Sequence, residues 1–499
     1  MPKLSLEFAV RCLWALTLVT LPITSFRYVP FMGEGTTVRP LALYPLALLL
    51  PLLLVRLKQG RIARPWPGAL TVLLGFVLAG LAATAFGATL APLDLRGVDY
   101  FDRALRALLT LIIGLAFFVA AIWMNQSEED VRFSVRWLLA GLVLDLAWAA
   151  VQFIGLNSGY RQDLLKIQNL FSVRGLVQNK RVSGFAFEPS WLAGQLAALY
   201  LPWLFAALLS RYQVFGGSTV NPDTSGAGGL RSSVARWLEP VLLLASIAIL
   251  LMTYSRSGLA MVVLAVCVTF AVAGRETVSA FWGWVRAGFD SQRWTGRWAA
   301  IKAAGSRVLL AGLAVAVLAG AGAFLADKGY IAAFFQSDKE DLFAFAVDAY
   351  LGPRLAYSTA ALDTFQESPW VGVGLGASGF YMYRHMPNWV LTGVPEVSQQ
   401  LSPDSRLFPN PKNLYARLLA ETGLVGFVLF AAFSLAMLAE ALDVLRWGTP
   451  AGRWLGTAAL FTFVAVALLG FSQDSFAMPE MWINLGILAG AANALKEKT

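Results

Sequence analysis

Long apolar runs alternate along the chain with shorter stretches that carry most of the charged residues. A run of about 20 apolar residues is long enough to cross the hydrocarbon core of a bilayer as a helix. Runs of this kind predict twelve transmembrane helices, at about residues 6–26, 38–55, 66–90, 104–124, 134–156, 189–210, 238–253, 257–273, 308–326, 424–445, 455–471 and 478–495. The stretches between them show neither the alternation typical of strands nor a repeat of fixed period. The pattern therefore predicts an all-α polytopic membrane protein.

The basic residues predict the orientation of these helices. The loop between the second and third runs carries Arg56, Lys58, Arg61 and Arg64, and short loops on this side hold an excess of Lys and Arg. Such an excess marks the cytoplasmic side, so both termini are expected to be cytoplasmic. The first run follows Lys3 without a small-residue cleavage site, and we expect it to be retained as a span.

Loop lengths divide the chain into three parts. Residues 1–326 hold predicted helices one to nine, with an outer loop at 157–188 and a Gly- and Ser-rich, flexible cytoplasmic loop at 211–236. Residues 327–417 are too many for a simple connector and predict an outer loop domain between helices nine and ten. Residues 418–499 hold helices ten to twelve.

The amino-acid composition indicates a membrane protein and argues against nucleic-acid binding and metal binding. Of 499 residues, 58% are hydrophobic and 14% are charged, as in a chain whose helices mostly face lipid. The net charge of +9 comes from basic residues dispersed among loops, so no nucleic-acid partner is expected. Cys12 and Cys267 lie in separate apolar runs, and no Asp-x-Asp pair or His-rich cluster occurs. We therefore expect no metal ion and no cofactor.

Arginines at the predicted outer side are the first candidates for a binding site. A guanidinium is always charged and can bind two phosphate oxygens at once. Arg181, Arg256, Arg354 and Arg384 all lie outside or at the outer ends of predicted helices. Arg256 lies in a turn of only a few residues, where positive charge is usually avoided. The alternative role for each is an anchor to lipid headgroups.

Carboxylates near these arginines have two possible uses. Glu188-Pro189 marks a helix start, where an acidic residue either complements the helix dipole or contributes a polar contact to a site. Glu421 lies four residues after Arg417, and this spacing predicts a structural ion pair.

One histidine and one glycine-rich run complete the candidates. His385 is a candidate general base, although a lone histidine is more often a packed or surface residue. The run from Gly372 to Gly376 has the glycine spacing of a nucleotide-binding loop without the strand and acidic residue that accompany it. It predicts a tight turn after Ser368-Pro369-Trp370.

Four motifs, in this order, resemble bacterial O-antigen polymerases and O-antigen ligases. They are Arg181-Val-Ser-Gly184 with Glu188-Pro189-Ser190, Ser255-Arg256-Ser257-Gly258, Gly352-Pro353-Arg354 with Ser368 to Gly376, and Asn413 to Gly426. The resemblance covers about residues 170–445. It implies a GT-C-like membrane glycosyltransferase of the bacterial inner membrane, with a large periplasmic loop domain and an active site facing the periplasm.

The resemblance also implies the substrates and the partners. Members of this family transfer a glycan from undecaprenyl diphosphate, so the expected partners are lipid-linked oligosaccharide donor and acceptor, membrane lipid and a chain-length-regulating membrane co-polymerase. No metal or cofactor is implied. Arg181, Arg256 and Arg354 would hold the donor diphosphate, and Arg384, Asn413 and Tyr415 would complete the binding site.

Candidate bases for activating the acceptor hydroxyl are Glu188, His385 and Lys412, the last only if burial lowers its pKa. Ligases typically have a histidine directly before the asparagine of the last motif, where this chain has Lys412. That departure and the Glu-Pro-Ser stretch favour a polymerase of lipid-linked repeat units. A ligase that transfers polymer to lipid A core or to protein is the first alternative. A polysaccharide flippase or transporter is the second, and the absence of a half-repeat argues against it.

Overall fold

A computed structural model describes residues 5–28, 38–90, 93–173, 180–210, 212, 214–215, 230–274, 279, 282–283, 305, 308, 351–390, 394–402, 404–405 and 408–495. Nearly all of the predicted ninth helix, most of the predicted loop 211–236 and residues 327–350 of the predicted outer domain lie outside these ranges.

The described part of the chain is a bundle of helices. Their bounds are α1 Leu6–Thr20, α2 Leu43–Lys58, α3 Gly68–Thr89, α4 Tyr100–Met124, α5 Glu128–Asn157, α6 Arg161–Phe171, α7 Pro189–Gln195, α8 Leu201–Ser210, α9 Leu230–Met252, α10 Arg256–Ala273, α11 Gly352–Glu367, α12 Ser378–Met382, α13 Pro395–Leu401, α14 Leu414–Leu445, α15 Pro450–Leu469 and α16 Ile483–Leu495. A π-helical turn at Leu196–Tyr200 joins α7 to α8, and a 3-10 turn at Pro479–Met481 precedes α16.

Eleven of the twelve predicted transmembrane helices lie in the described ranges, and each is helical there. Within those ranges, seven helices are long and apolar enough to cross a membrane: Gly68–Thr89, Tyr100–Met124, Glu128–Asn157, Pro189–Ser210, Arg256–Ala273, Leu414–Leu445 and Pro450–Leu469. The prediction of an all-α polytopic membrane protein is thus confirmed. The total of twelve stays a prediction.

Two local features differ from the sequence-based expectation. A short hairpin, β1 Asp94–Leu95 and β2 Val98–Asp99, precedes α4 where no strand was predicted. The helix predicted to begin at residue 424 begins instead at Leu414, inside the predicted outer domain, because the Asn413 side chain caps it.

Loops from distant parts of the chain meet at one end of the bundle, the end where α3 ends and α4 begins, here called the site end. The backbone N–H of Arg27 donates to the Phe171 carbonyl at 3.1 Å. The Leu414 N–H donates to the Gly470 carbonyl at 2.7 Å. The first contact joins the loop that follows α1 to the end of α6, and the second joins the loop that follows α15 to the start of α14.

A non-helical segment, residues 368–377, inserts into the bundle from the site end. A Cβ on Gly80 would lie 3.1 Å from the Leu375 side chain. Gly80 is nine residues before the end of α3, which corresponds to a depth of about 13 Å. Gly372, Gly374 and Gly376 have φ of 80°, 100° and 80°, so the predicted tight turn after Trp370 is confirmed.

The inserted segment is accommodated by a break in α14. Gly423 has φ 60° and ψ −166°, which interrupts the helical hydrogen bonds. The freed groups bond to the segment: the Gly374 N–H donates to the Glu421 carbonyl at 3.0 Å, and the Leu424 N–H donates to the Pro369 carbonyl at 2.7 Å. Irregular backbone is tolerated at membrane depth when protein groups satisfy it in this way.

A second segment, residues 470–482, also descends from the site end before α16 begins. A Cβ on Gly114 would lie 2.5 Å from the Phe476 carbonyl oxygen, and Gly114 is about 21 Å along α4 from Tyr100. The Trp482 indole donates to the same carbonyl at 2.7 Å. The predicted twelfth helix therefore consists of a 3-10 turn followed by the 13 residues of α16.

Candidate functional site

Arg181 and Arg256, predicted to act together, lie on connected loops at the site end. The Arg181 Nε donates to the Thr253 carbonyl at 2.8 Å, and the next residue, Val182, donates its N–H to the Met252 carbonyl at 3.2 Å. Thr253 belongs to the turn between α9 and α10, and Arg256 is the first residue of α10. The structure thus brings the first two motifs together.

This turn also packs against the start of α7. Ser255 caps α10, because its Oγ accepts a hydrogen bond from the Gly258 N–H at 3.2 Å. A Cβ on Gly258 would lie only 2.4 Å from the Ala193 Cβ. Glycine at this position therefore allows the Arg256 turn to approach the helix that begins after Glu188.

The loop that carries Arg181 and Glu188 is held by two polar side chains of α5. The Gln152 Oε1 accepts hydrogen bonds from the N–H groups of Ser183 and Gly184, at 3.1 and 2.9 Å. The Asp145 Oδ1 accepts a hydrogen bond from the Phe185 N–H at 2.8 Å. Gly184 has φ 56°, and a Cβ there would lie 2.2 Å from Asp145 Oδ1. The glycine of the first motif is therefore required by both conformation and space.

Glu188 lies in the predicted outer loop 157–188, and Arg354 lies in the predicted outer domain 327–417. The two side chains interact electrostatically. Arg354 lies in the first turn of α11, and its charged neighbours are Glu188 and Glu396. Burial lowers the pKa of the Arg354 guanidinium, and the two carboxylates act in the opposite direction. Glu188 occupies the N-cap position of α7, as predicted, but its side chain makes no capping hydrogen bond. Its Oε1 accepts a hydrogen bond from the Ser190 Oγ instead.

Lys412 joins the same group of charges. Its Nζ lies 3.1 Å from Glu396 Oε1, and 5.0 Å from the centre of the Tyr357 ring. The Lys412 side chain is 36% exposed, so the burial on which a role as base depended is not present. Glu396 thus links Lys412 to Arg354, and we name Arg181, Glu188, Arg256, Arg354, Glu396 and Lys412 the charged cluster.

Strained backbone accompanies the charged cluster. Within the described residues, the non-glycine positions with positive φ are Arg96, Lys180, Tyr254 and Lys412, at 60°, 52°, 50° and 52°. Lys180 directly precedes Arg181, and Tyr254 lies in the turn before Arg256. Such conformations cost about 1–3 kcal/mol each, persist where the surrounding structure imposes them, and occur most often at functional sites.

Arg384 and His385 lie away from the charged cluster. The His385 Nε2 lies 2.5 Å from Glu367 Oε1, and Glu367 ends α11. Arg354 begins that helix, so the two ends are separated by about 20 Å. The Arg384 guanidinium lies 5.6 Å from the centre of the Tyr381 ring. The structure does not bring this pair together with Arg181, Arg256 and Arg354.

Asn413 and Tyr415 make structural contacts. The Asn413 Oδ1 accepts hydrogen bonds from the N–H groups of Tyr415 and Ala416, at 3.0 and 3.2 Å, which caps α14. The Tyr415 hydroxyl donates to the Ala467 carbonyl at 2.6 Å and so ties α14 to α15. Their predicted binding roles stay predictions, and both side chains already have partners inside the bundle.

Arg417 and Glu421 form a buried ion pair below the charged cluster. The Arg417 Nε lies 2.9 Å from Glu421 Oε2, and the predicted pairing is confirmed. The Arg417 Nη1 donates to the Asp474 carbonyl at 2.6 Å, and the Ser378 Oγ donates to Glu421 Oε1 at 2.9 Å. The pair thereby ties the start of α12 and the segment 470–482 to α14.

Several residues of the site were not predicted from the sequence. Glu396 and Tyr357 carry no motif, and only the folded chain places them beside Lys412. Asp145 and Gln152 could have been found from the sequence. They are polar residues seven positions apart in an apolar run, and this spacing places them on one helix face.

Comparison with known proteins agrees with the motifs. Residues 241–431 match the family model described as O-antigen ligase. No curated protein matches the chain. The match indicates a function of the O-antigen polymerase or ligase type and does not favour a flippase. The matched range includes the Arg256 turn, α11 with Arg354, and Lys412. Residues 241–431 are thus similar to the O-antigen ligase family.

Proposed function

We propose that the protein is a polymerase of lipid-linked oligosaccharide repeat units, acting at the periplasmic face of the bacterial inner membrane. It would join the growing chain on one undecaprenyl diphosphate to the non-reducing end of a new lipid-linked unit. The observation that carries the proposal is the charged cluster, whose residues come from five segments of the chain at one end of a membrane bundle. A group of cations at that position suits the binding of a membrane-anchored diphosphate.

The leaving group explains why cations matter more than a proton donor. The acceptor hydroxyl oxygen attacks the anomeric carbon, and the bond from that carbon to the diphosphate oxygen breaks. Undecaprenyl diphosphate departs with the electron pair, and its new negative charge is stabilised by Arg181, Arg256 and Arg354. No further reactant is required, because the glycosyl diphosphate supplies the driving force.

The hydroxyl proton must be accepted by a nearby base, and we assign this role to Glu188. Its carboxylate interacts electrostatically with Arg354 and is not used for helix capping. Lys412 is a partly exposed cation paired with Glu396, and this arrangement suits the binding of phosphate oxygens. His385 lies at the far end of α11, paired with Glu367. Its role as a base at the acceptor, separate from the diphosphate, stays a prediction.

A ligase is the second candidate, because the matched family model is described as O-antigen ligase. Both reactions break the same bond and differ in the acceptor. In the ligase reaction, the acceptor is lipid A core or protein rather than a second lipid-linked unit. The charged cluster serves both reactions equally well, so only the product distinguishes them.

The test is the product formed by purified protein in lipid vesicles. The vesicles contain an undecaprenyl-diphosphate-linked repeat unit, with lipid A core added in half of the reactions. A polymerase yields a ladder of lipid-linked polymer in both halves. Transfer to lipid A core without elongation would overturn the proposal in favour of a ligase. The Arg181→Ala/Arg256→Ala variant is the matched negative control.

A further inference from the structure

Three polar side chains meet in the apolar interior of the bundle, away from the charged cluster. They are Asp145 of α5, Tyr200 at the end of the π turn, and Glu480 of the 3-10 turn before α16. The π turn contacts both α5 and the 3-10 turn. Both carboxyl groups are close enough to Tyr200 to interact with it electrostatically. We name these residues the inner acidic triad.

The triad is buried and incompletely bonded. Asp145, Tyr200 and Glu480 are 1%, 0% and 1% exposed. One polar atom of each, Asp145 Oδ2, the Tyr200 hydroxyl and Glu480 Oε2, has no hydrogen-bond partner in the described structure. Buried polar groups destabilise the fold when they are left unsatisfied, so native proteins usually supply a partner or ordered water.

The π turn next to the triad is itself built by specific contacts. The Asn484 Nδ2 donates to the carbonyls of Ala198 and Leu199 in the π turn, at 2.8 and 3.0 Å. The Trp203 indole donates to Asn484 Oδ1 at 2.9 Å and fixes that side chain. π turns within helices occur frequently at functional sites. Here the turn ends at Tyr200, which interacts electrostatically with both carboxyl groups.

The charge balance of the triad points to its ligand. Among the described residues, no Lys, Arg or His interacts electrostatically with Asp145 or Glu480. A buried carboxylate without a cation is very costly, and carboxyl groups in this situation take up protons instead. Asp145 lies twelve residues from the end of α5, about 18 Å from the site end.

We propose that the inner acidic triad is an intramembrane proton-binding site, in which ordered water fills the space between the three unpartnered oxygen atoms. At least one of the two carboxyl groups is held in the neutral acid form at neutral pH. The other carboxyl oxygen of Asp145, Oδ1, accepts the hydrogen bond from the Phe185 N–H. Proton binding in the triad is therefore linked to the loop that carries Arg181 and Glu188. The proposal does not depend on which glycan reaction the protein performs.

The experiment is infrared spectroscopy of the full-length protein in lipid nanodiscs at neutral pH. A protonated carboxyl group has a C=O stretching band that is well separated from the carboxylate bands. We expect such a band in the wild type and a loss of intensity in Asp145→Asn or Glu480→Gln. We expect no change in Glu129→Gln, which alters an exposed carboxylate at the start of the same helix.

Tyr200→Phe provides a second variant that leaves both carboxyl groups in place. Loss of its hydroxyl should shift the acid band without removing it, because the hydrogen bonding of the acid changes. An acid band of equal intensity in the wild type, Asp145→Asn and Glu480→Gln would overturn the proposal. So would the absence of the band together with a higher unfolding temperature in Na⁺ than in choline, since the triad would then bind a metal cation.

Discussion

At the scale of single residues, the arginines predicted to face the outer side fall into two groups, according to the partners that they contact. Arg417 is buried in an ion pair with Glu421 and serves the packing of α14. Arg181 and Arg256 lie on loops joined by hydrogen bonds, and Arg354 lies among carboxylates. Residue type alone did not separate these uses. The sequence context of the motifs separated the structural arginine from the site arginines, because the first two motifs lie at the ends of apolar runs.

Substitution of Arg181 or Arg256 by alanine should lower glycan transfer by about 100-fold or more while the protein remains folded. The reason is the loss of a cation that stabilises the leaving diphosphate. Lysine should restore only part of the activity, because it lacks the forked geometry of the guanidinium. The measurement is the rate of transfer in vesicles, with Arg27→Ala as a control at an exposed arginine of the site end. Full activity in Arg256→Ala would show that this residue is a headgroup anchor.

Glu188→Gln should reduce transfer by at least about 100-fold, as expected for the loss of a general base. The glutamine keeps the size and polarity of the side chain, and no capping hydrogen bond is lost because none is made. Asp163→Asn is the matched control, since Asp163 is an exposed carboxylate of the same loop region, paired with Lys166. Normal transfer by Glu188→Gln would leave only a structural role for Glu188.

At the scale of elements, the sequence predicts the helices and the turn after Trp370, but it misses the insertion of that turn into the bundle and the break in α14. Apolar runs report the helices reliably, because each must bury or expose a continuous apolar surface along its length. The inserted segments 368–377 and 470–482 and the break at Gly423 depend on hydrogen bonds between distant residues. No local pattern encodes these bonds. The approach of Glu396 to Lys412 was unpredictable for the same reason, whereas the Arg417–Glu421 pair, four residues apart, was predicted.

The break in α14 leads to a prediction about stability. Gly423→Ala should lower the free energy of unfolding by about 2 kcal/mol or more, because alanine is strained at positive φ. Its Cβ would also lie 2.4 Å from the Trp370 carbonyl. Gly68→Ala is the control, since its Cβ would meet nothing within 4 Å and alanine favours a helix. The measurement is the midpoint of thermal unfolding in detergent. Equal midpoints for both variants would show that the inserted segment can shift to accommodate the added Cβ without loss of stability.

At the scale of the whole molecule, charged side chains gather at both ends of the bundle. The site end carries the charged cluster and both inserted segments. The other end carries the basic side chains Arg56, Arg61 and Arg64, of which the first two contact Glu7 at the start of α1. A basic end of this kind is expected to face the cytoplasm. The glycan reaction would then occur on the opposite side, where lipid-linked repeat units are polymerised.

This orientation can be measured with single cysteines placed at the two ends. Cys12 and Cys267 are first replaced by alanine, and cysteine is then introduced at Ser158, after α5 at the site end, or at Gln59, after α2 at the other end. Both positions are exposed. In intact cells with a permeabilised outer membrane, a membrane-impermeant maleimide should label residue 158 and spare residue 59. Disruption of the inner membrane should make residue 59 reactive, which confirms that its thiol is accessible. The reverse pattern would place the charged cluster in the cytoplasm, where a periplasmic polymerase or ligase could not use it.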